Sequence, residues 1–188
     1  MQLVDLAEVN LALLDEPAHA RLRQYVNEHT KRWSALVDAA DAFVFVTPEY
    51  NYAVPAPLVN ALDYLYEEWA YKPVGFVSYG GQSGGMRAVE MTKLIVTALR
   101  MMPLPQAVAV PFFQQYFDEA GAFRGTEAME KAARTMLDEL RRWSDALLPM
   151  RRAAAPPAAA PAKPKSAAAS SPDAGSSIAA AGSSGSRR

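Results

Sequence analysis

A continuously apolar run followed by a proline-rich loop is the feature that most constrains the fold of this chain. Residues 42–46, Ala-Phe-Val-Phe-Val, are all apolar and mostly aromatic or β-branched. A short run of this kind is typical of a strand covered on both faces, as in a parallel sheet. Thr47-Pro48 ends the run, because proline has no N–H to donate and restricts the residue before it. Pro57 suits the first turn of a helix, so the stretch predicts a strand, a loop and a helix.

The same alternation extends over residues 1–150. Strand-like apolar runs alternate with segments whose apolar residues recur at helical spacing. The further strands are predicted at 3–6, 73–79 and 107–110, and the helices at about 17–40, from Pro57, from Met86 and after a cap at Thr126. Strands that alternate with helices indicate βαβ units. The sequence therefore predicts an α/β domain with a parallel sheet.

The composition excludes several classes of protein. The chain has 188 residues and no cysteine, so disulfides, thiolate metal sites and a cysteine nucleophile are excluded. No segment approaches the roughly eighteen consecutive apolar residues of a membrane span. The N-terminus lacks a basic region followed by an apolar core, so no signal peptide is predicted. His19 and His29 have no partner at metal-ligand spacing. We expect a cytoplasmic protein without a metal site.

The last part of the chain differs in charge and composition. Residues 151–188 carry a net charge of +5, which leaves −6 for residues 1–150. This segment is rich in Ala, Ser and Pro, and Ile178 is its only large apolar residue. It cannot bury enough apolar surface to offset the entropy lost on ordering, so we predict a disordered tail after residue 150. Because no aromatic residue is present there for base stacking, a solubilising role is favoured over nucleic-acid or lipid binding.

A glycine-rich segment lies between the predicted strand at 73–79 and the helix that begins at Met86. Residues 78–85 read Ser-Tyr-Gly-Gly-Gln-Ser-Gly-Gly. Glycines allow the backbone to approach a ligand and to point N–H groups at it, and the helix adds its positive end. The segment is neither G-x-G-x-x-G nor a P-loop, because Gly-Lys-Ser/Thr is absent. Taken alone, the segment is better interpreted as a flexible strand–helix turn.

Taken together, the two loops resemble a known signature. Residues 47–51 read T-P-E-Y-N, residues 55–63 fit P-x-x-L-x-N-A-[IL]-D, and residues 78–85 fit S-x-G-G-x-x-G-G with Arg87-Ala88 behind them. These motifs, in this order, are similar to those of the NADPH-dependent FMN reductases. The resemblance covers most of residues 1–125. It implies a flavodoxin-like three-layer sandwich around a parallel sheet, with ligands bound at the carboxyl ends of the strands.

The resemblance also implies a function. Such a protein would bind FMN and use NAD(P)H as electron donor to reduce a small acceptor such as free flavin, a quinone, an azo dye or a metal oxyanion. No catalytic side chain is expected, because the cofactor itself carries hydride transfer. The residues implied to contact FMN are Pro48, Glu49, Tyr50, Asn51, Ser78, Gly80, Gly81, Gly84 and Gly85. A homodimer or homotetramer formed near residues 57–69 is implied as well.

The N-terminus departs from the family pattern. Family members begin with a further apolar strand and a G-S-x-R-x-x-[RS]-x-N loop that holds the FMN phosphate at a helix end. Here Met1–Leu6 matches the family's second strand, and Leu11–Pro17 matches the stretch after it. We therefore expect an N-terminally truncated flavodoxin-like domain with an unpaired strand edge. Two interpretations remain open: a start further upstream, or a truncated homologue that has lost flavin activity and acts in protein association.

The first interpretation makes a genetic prediction. The DNA upstream of Met1, read in frame, is expected to encode a Val/Ile-rich strand followed by a Ser/Arg loop. Sequencing of that region checks it. A stop codon immediately before Met1 would favour the truncated homologue.

Overall fold

Three parallel strands form the centre of the molecule. A computed structural model describes residues 1–154 of the chain. The strands are β1 (Phe43–Pro48), β2 (Pro73–Gly80) and β3 (Met102–Pro111), and they lie side by side in the order β1-β2-β3. Both neighbouring pairs are parallel, which confirms the predicted α/β architecture. In the register, Tyr79 lies between Pro48 and Val110, so the three strands end at one edge of the sheet.

The strands at 42–46 and 73–79 were predicted nearly as they occur, but β3 begins five residues earlier than predicted. Its first half contains Pro103 and Pro105. Proline removes a donor from a ladder and is tolerated mainly on edge strands. Because β3 is an edge of the three-stranded sheet, it accommodates both prolines.

Five α-helices connect and cover the strands in the described part of the chain. They are α1 (Leu6–Val9), α2 (Glu28–Asp38), α3 (Ala56–Asp63), α4 (Met86–Ala98) and α5 (Glu127–Ala154), with short 3-10 helices at Ala20–Leu22, Glu67–Trp69 and Phe113–Tyr116. The N–H of Met129 donates to Thr126 Oγ1 at 3.2 Å, which confirms the predicted cap of the last helix. Among these helices, none combines the length and the apolar character needed to cross a membrane.

Helix α5 extends into the segment that the sequence assigns to the tail. Residues 151–154 form its last turn. The guanidinium of Arg151 pairs with the Asp41 carboxylate at 3.0 Å and donates to the Tyr71 carbonyl oxygen at 3.3 Å. The remainder of the predicted disordered tail, residues 155–188, lies outside the described residues.

Alternate residues of the strands face two different helix layers. On one face, Phe45 and Phe76 pack with side chains of α2, of α4 and of the 3-10 helix at Glu67–Trp69. The ring centroids of Trp33 and Trp69 lie 5.9 Å apart, edge to face, within this core. On the opposite face, α5 packs through Met136 against the sheet. Helices on both faces of a parallel sheet make the three-layer sandwich that the resemblance implies.

The strand predicted at residues 3–6 is wrong. Residues 1–5 are irregular, and α1 begins at Leu6. The Asp5 carboxylate accepts a hydrogen bond from the Ala7 N–H at 2.8 Å, and Asn10 ends the turn with a left-handed backbone. A strand needs a lateral partner for its N–H and C=O groups. Within residues 1–154 no strand lies beside this segment, so the local cap determines its structure.

The single helix predicted over residues 17–40 is also wrong. Only Ala20–Leu22 and Glu28–Asp38 are helical, and Arg23 between them has a left-handed backbone with φ 51°. The Glu16 carboxylate accepts the N–H groups of Val26 and Asn27 at 2.9 and 3.0 Å. Because these two N–H groups are engaged by a residue ten and eleven positions earlier, the helix starts only after them.

A fully buried carboxylate fastens the N-terminal segment to the domain. Glu68 accepts hydrogen bonds from Tyr25 Oη at 3.0 Å and from Ser34 Oγ at 2.6 Å, and Arg23 Nε lies 3.2 Å from the same oxygen. Burial, together with the neighbouring Glu68 charge, raises the pKa of Tyr25, so its hydroxyl remains a donor. Three donors compensate the lost hydration of the Glu68 carboxylate.

This arrangement predicts the effect of Glu68→Gln. The amide removes the negative charge that pairs with Arg23 Nε, and its NH2 group replaces the oxygen that accepts from Tyr25 Oη at 3.2 Å. We expect the free energy of unfolding to fall by about 1–3 kcal/mol, measured by urea denaturation. The control is Glu90→Gln, an exposed carboxylate paired with Lys93 on α4, for which a change below about 0.5 kcal/mol is expected. Equal losses in the two variants would contradict the stabilising role of Glu68.

The outer edge of β1, like that of β3, has no partner strand in the described part of the chain. Among residues 1–154, β1 pairs with β2 alone. Val46 on this strand is 63% exposed. The described residues therefore show the unpaired strand edge that the departure from the family pattern predicts.

Candidate functional site

The loops that carry the predicted site residues meet at the carboxyl edge of the sheet. The first loop follows β1 at residues 49–55, and the glycine loop follows β2 at residues 81–85. The end of β3 joins them, since the Phe112 N–H donates to the Gly81 carbonyl oxygen at 3.1 Å. Open α/β sheets bind ligands at this edge.

The first loop is a tight two-residue turn. Asn51 and Tyr52 both have left-handed backbones, with φ of 51° and 68°. Two hydrogen bonds close the turn: Tyr50 N–H to Ala53 O at 3.2 Å, and Ala53 N–H to Tyr50 O at 2.9 Å. Positive φ at both central residues is the geometry of a type I′ turn. The turn leaves the rings of Tyr50 and Tyr52 on the surface, 65% and 70% exposed.

The Glu49 side chain turns away from solvent and towards the glycine loop. One carboxylate oxygen accepts from Ser83 Oγ at 2.9 Å and from Arg87 Nη1 at 3.1 Å. The other accepts from the backbone N–H groups of Arg87 at 2.9 Å and Ala88 at 3.4 Å. Burial acts to raise the pKa of Glu49, but these hydrogen bonds outweigh it and lower the pKa below its usual value. The carboxylate is therefore ionised and fully engaged within the protein.

The glycine loop contains residues of two kinds. Ser78 is fully buried and donates through Oγ to the Gly84 carbonyl oxygen at 2.8 Å. Gly85 has φ +84°, and a Cβ placed on it would lie 2.8 Å from both Ser78 Cβ and Tyr79 N. By contrast, a Cβ on Gly81 would meet no atom within 4 Å. Ser78, Gly84 and Gly85 thus support the loop from inside, whereas Gly81 faces open space.

The sequence analysis missed an aromatic cluster beside these loops. The rings of Tyr79 and Phe113 lie 5.1 Å apart between centroids, and Phe113 and Phe117 lie 6.4 Å apart. Burial and the neighbouring Tyr50 raise the pKa of the Tyr79 hydroxyl. The available signal was the run Phe-Phe-Gln-Gln-Tyr-Phe at residues 112–117, directly after the last predicted strand.

The described residues offer little acid–base or metal chemistry. Residues 1–154 contain no group of three or more His, Asp or Glu side chains arranged to hold a metal ion. His29 pairs with the Asp15 carboxylate at 2.9 Å, to which Tyr64 Oη also donates at 3.0 Å. The hydrogen bond from His29 lowers the pKa of Asp15. This cluster joins the N-terminal segment to α2 and to the end of α3.

The first loop and the glycine loop are in contact at the carboxyl edge of the sheet through Glu49 and Ser83. Tyr50 on the first loop is 65% exposed, and a Cβ on Gly81 of the glycine loop would meet no atom within 4 Å. Backbone N–H and C=O groups in such loops suit the alternating donors and acceptors along the edge of a heteroaromatic ring. The open space beside Gly81 is compatible with a flat heteroaromatic ring such as the isoalloxazine ring of FMN.

The two kinds of glycine predict different costs of substitution. Gly85→Ala places a Cβ against the β2 backbone at a left-handed φ, so we expect a loss of about 2 kcal/mol or more in the free energy of unfolding. Gly81→Ala, whose Cβ would meet open space, is expected to change stability by less than about 0.5 kcal/mol. Urea denaturation of both variants measures the difference. Similar losses would contradict the assignment of Gly85 as an internal support.

Comparison with known proteins finds one matching family and several similar proteins. The family model described as NADPH-dependent FMN reductase matches residues 1–115. The NAD(P)H-dependent FMN reductase C4B3.06c of Schizosaccharomyces pombe is 43% identical over 111 residues, which cover 57% of this chain and 56% of that protein. The NAD(P)H-dependent FMN reductase ntnL of Nectria sp is 37% identical over 111 residues, which cover 57% of this chain and 55% of that protein.

A solved structure shares the fold. The flavoenzyme NAD(P)H:(acceptor) oxidoreductase FerB from Paracoccus denitrificans superposes with a TM-score of 0.52 at 21% identity, covering 74% of this chain and 76% of that one. This likeness confirms the predicted flavodoxin-like fold class. The chain nevertheless spans only about half the length of the two curated relatives, 55% and 56%.

Proposed function

Because this chain belongs to the NADPH-dependent FMN reductase family, we propose that it is an NAD(P)H-dependent flavin oxidoreductase that reduces a small acceptor. The acceptor class is free flavin, a quinone or a similar molecule. FMN, when bound, supplies the hydride chemistry. The single observation that carries the proposal is the meeting of the first loop and the glycine loop at the carboxyl edge of the sheet.

In this proposal the nine predicted site residues divide into two groups. The backbone of Pro48, Tyr50, Asn51, Gly80 and Gly81 lines the ring of FMN. The side chains of Glu49 and Ser78, with Gly84 and Gly85, hold those backbone segments in place. Binding, orientation and exclusion of water are what the protein must contribute when a cofactor carries the reaction.

FMN would supply the hydride chemistry, so no side chain of the protein is required as an acid or base for the hydride step itself. The Glu49 carboxylate, next to the loops, is engaged by four hydrogen bonds and is 8% exposed. The aromatic cluster of Tyr79, Phe113 and Phe117 supplies an apolar border to the site.

We further propose a cytoplasmic homodimer or homotetramer with an interface near residues 57–69. Leu62, Tyr64 and Trp69 in this range are buried within the chain itself. An interface there would therefore use the outer side of α3, including Pro57 and Asp63. Light scattering of the purified chain checks the assembly, and a monomeric mass would contradict it.

The alternative, a homologue that acts in protein association without flavin, rests on a different observation. Residues 1–154 contain no Ser/Arg loop of the family's phosphate-binding pattern, and β1 has an open edge with Val46 exposed. Loss of two or three charge-assisted hydrogen bonds, at about 1.5–3 kcal/mol each, would weaken FMN binding by about 100-fold or more.

A titration with two flavins distinguishes these proposals. We expect the purified chain to bind FMN, shown by flavin absorption bands and by quenching of flavin fluorescence, and to bleach on addition of NADPH. If the ring-binding loops provide the affinity, riboflavin, which lacks the phosphate, binds within about threefold of FMN. A chain that is colourless and binds neither flavin contradicts the oxidoreductase proposal and supports the association role.

A further inference from the structure

Helix α4 begins without a capping side chain of its own. Gly85 occupies the position before the helix and has no side chain to accept a hydrogen bond. The first N–H groups of a helix nevertheless need acceptors. The Glu49 carboxylate provides one, since it accepts the N–H groups of Arg87 and Ala88 at 2.9 and 3.4 Å. The cap of α4 therefore comes from the first loop, 38 residues earlier in the chain.

The same carboxylate also holds the glycine loop. Its other oxygen accepts from Ser83 Oγ at 2.9 Å, and Ser83 Oγ in turn accepts from the Gly85 N–H at 3.3 Å. A second contact joins the first loop to α4: the Arg87 guanidinium lies 4.1 Å from the ring centroid of Tyr52. The first loop thus contacts the glycine loop through Glu49 and contacts α4 through both Glu49 and Tyr52.

The surroundings of Glu49 make these contacts strong. The side chain is 8% exposed, and all its neighbours in these contacts are donors. Hydrogen bonds to an ionised group are about twice as strong as those between neutral groups. The positive end of α4 adds further stabilisation of the negative charge. A carboxylate in this position joins the first loop to the glycine loop and to the start of the helix that follows it.

We propose that Glu49 is a positioning residue, which fixes the spacing between the first loop and the glycine loop so that the two bind their ligand as one rigid unit. The proposal deepens the flavin-binding function proposed above and rests on it for the identity of the ligand. Glu49 does not touch the flavin through its side chain. It acts through the backbone of Tyr50 and Asn51 on one side and of Gly81 on the other.

The first test concerns the hydrogen bonds of Glu49 to the start of α4 and uses the full-length chain without flavin. Glu49→Gln keeps one acceptor oxygen but loses the second and the charge. Amide hydrogen exchange at Arg87 and Ala88 is expected to become faster by about tenfold or more, because one charge-assisted hydrogen bond is lost. The amide of Phe76 in β2 serves as the internal reference and is expected to be unchanged. Unchanged exchange at Arg87 and Ala88 would overturn the proposal.

The second test concerns positioning and uses FMN titrated into the same variant. We expect the Kd for FMN to rise about tenfold in Glu49→Gln, under conditions in which both proteins are fully folded. A residue that merely stabilised α4 would not change the Kd under those conditions. Glu90→Gln, which removes an exposed carboxylate from the same helix, is the matched control and is expected to leave both exchange and Kd unchanged.

The two readouts separate the possible failures. Faster exchange with an unchanged Kd would show that Glu49 joins the loops without positioning the ligand, and would overturn the proposal. A wild-type chain that binds no FMN would contradict the proposed function and, with it, the positioning of that ligand. In that case the exchange result still decides whether Glu49 fastens the two loops together.

Discussion

The parallel register of the three strands is the constraint on which the rest of the site depends. Because Pro48, Tyr79 and Val110 lie side by side, the loops after β1, β2 and β3 leave the sheet at one edge. Parallel strands require crossover connections, so each loop leads into a helix or into a segment that covers the sheet. The register brings the first loop and the glycine loop to the same edge, and the contacts of Glu49 with Ser83 and Arg87 then join them.

Local patterns predicted the interior of the fold but not its long-range contacts. The apolar runs at 42–46 and 73–79 indicated β1 and β2, because both faces of these strands are covered. The strand at 3–6 and the unbroken helix over 17–40 were wrong for a shared reason. Their structure is decided by groups outside the local pattern: the missing lateral partner in the first case and the Glu16 carboxylate in the second.

At the candidate site too, the sequence predicted the local structure but not the long-range contacts. The motifs placed the first loop and the glycine loop on the correct strand ends, because their residue types are tied to tight turns and helix starts. They did not show that the Glu49 side chain is internal to the protein, since its partners lie 34–39 residues away in sequence. Nor did they indicate the ring of Phe113 beside Tyr79, which becomes a neighbour only once β2 and β3 are paired.

Two buried carboxylates connect parts of this chain that secondary structure leaves separate. Glu68 joins the N-terminal segment and α2 to the 3-10 helix before β2, and Glu49 joins the two loops at the sheet edge. Each is surrounded by hydrogen-bond donors: Glu49 accepts four hydrogen bonds, and Glu68 is contacted by Tyr25, Ser34 and Arg23. An enzyme built on acid–base catalysis keeps such a group available in its cleft. Here both carboxylates instead hold parts of the scaffold together, which agrees with the proposal that a cofactor supplies the chemistry.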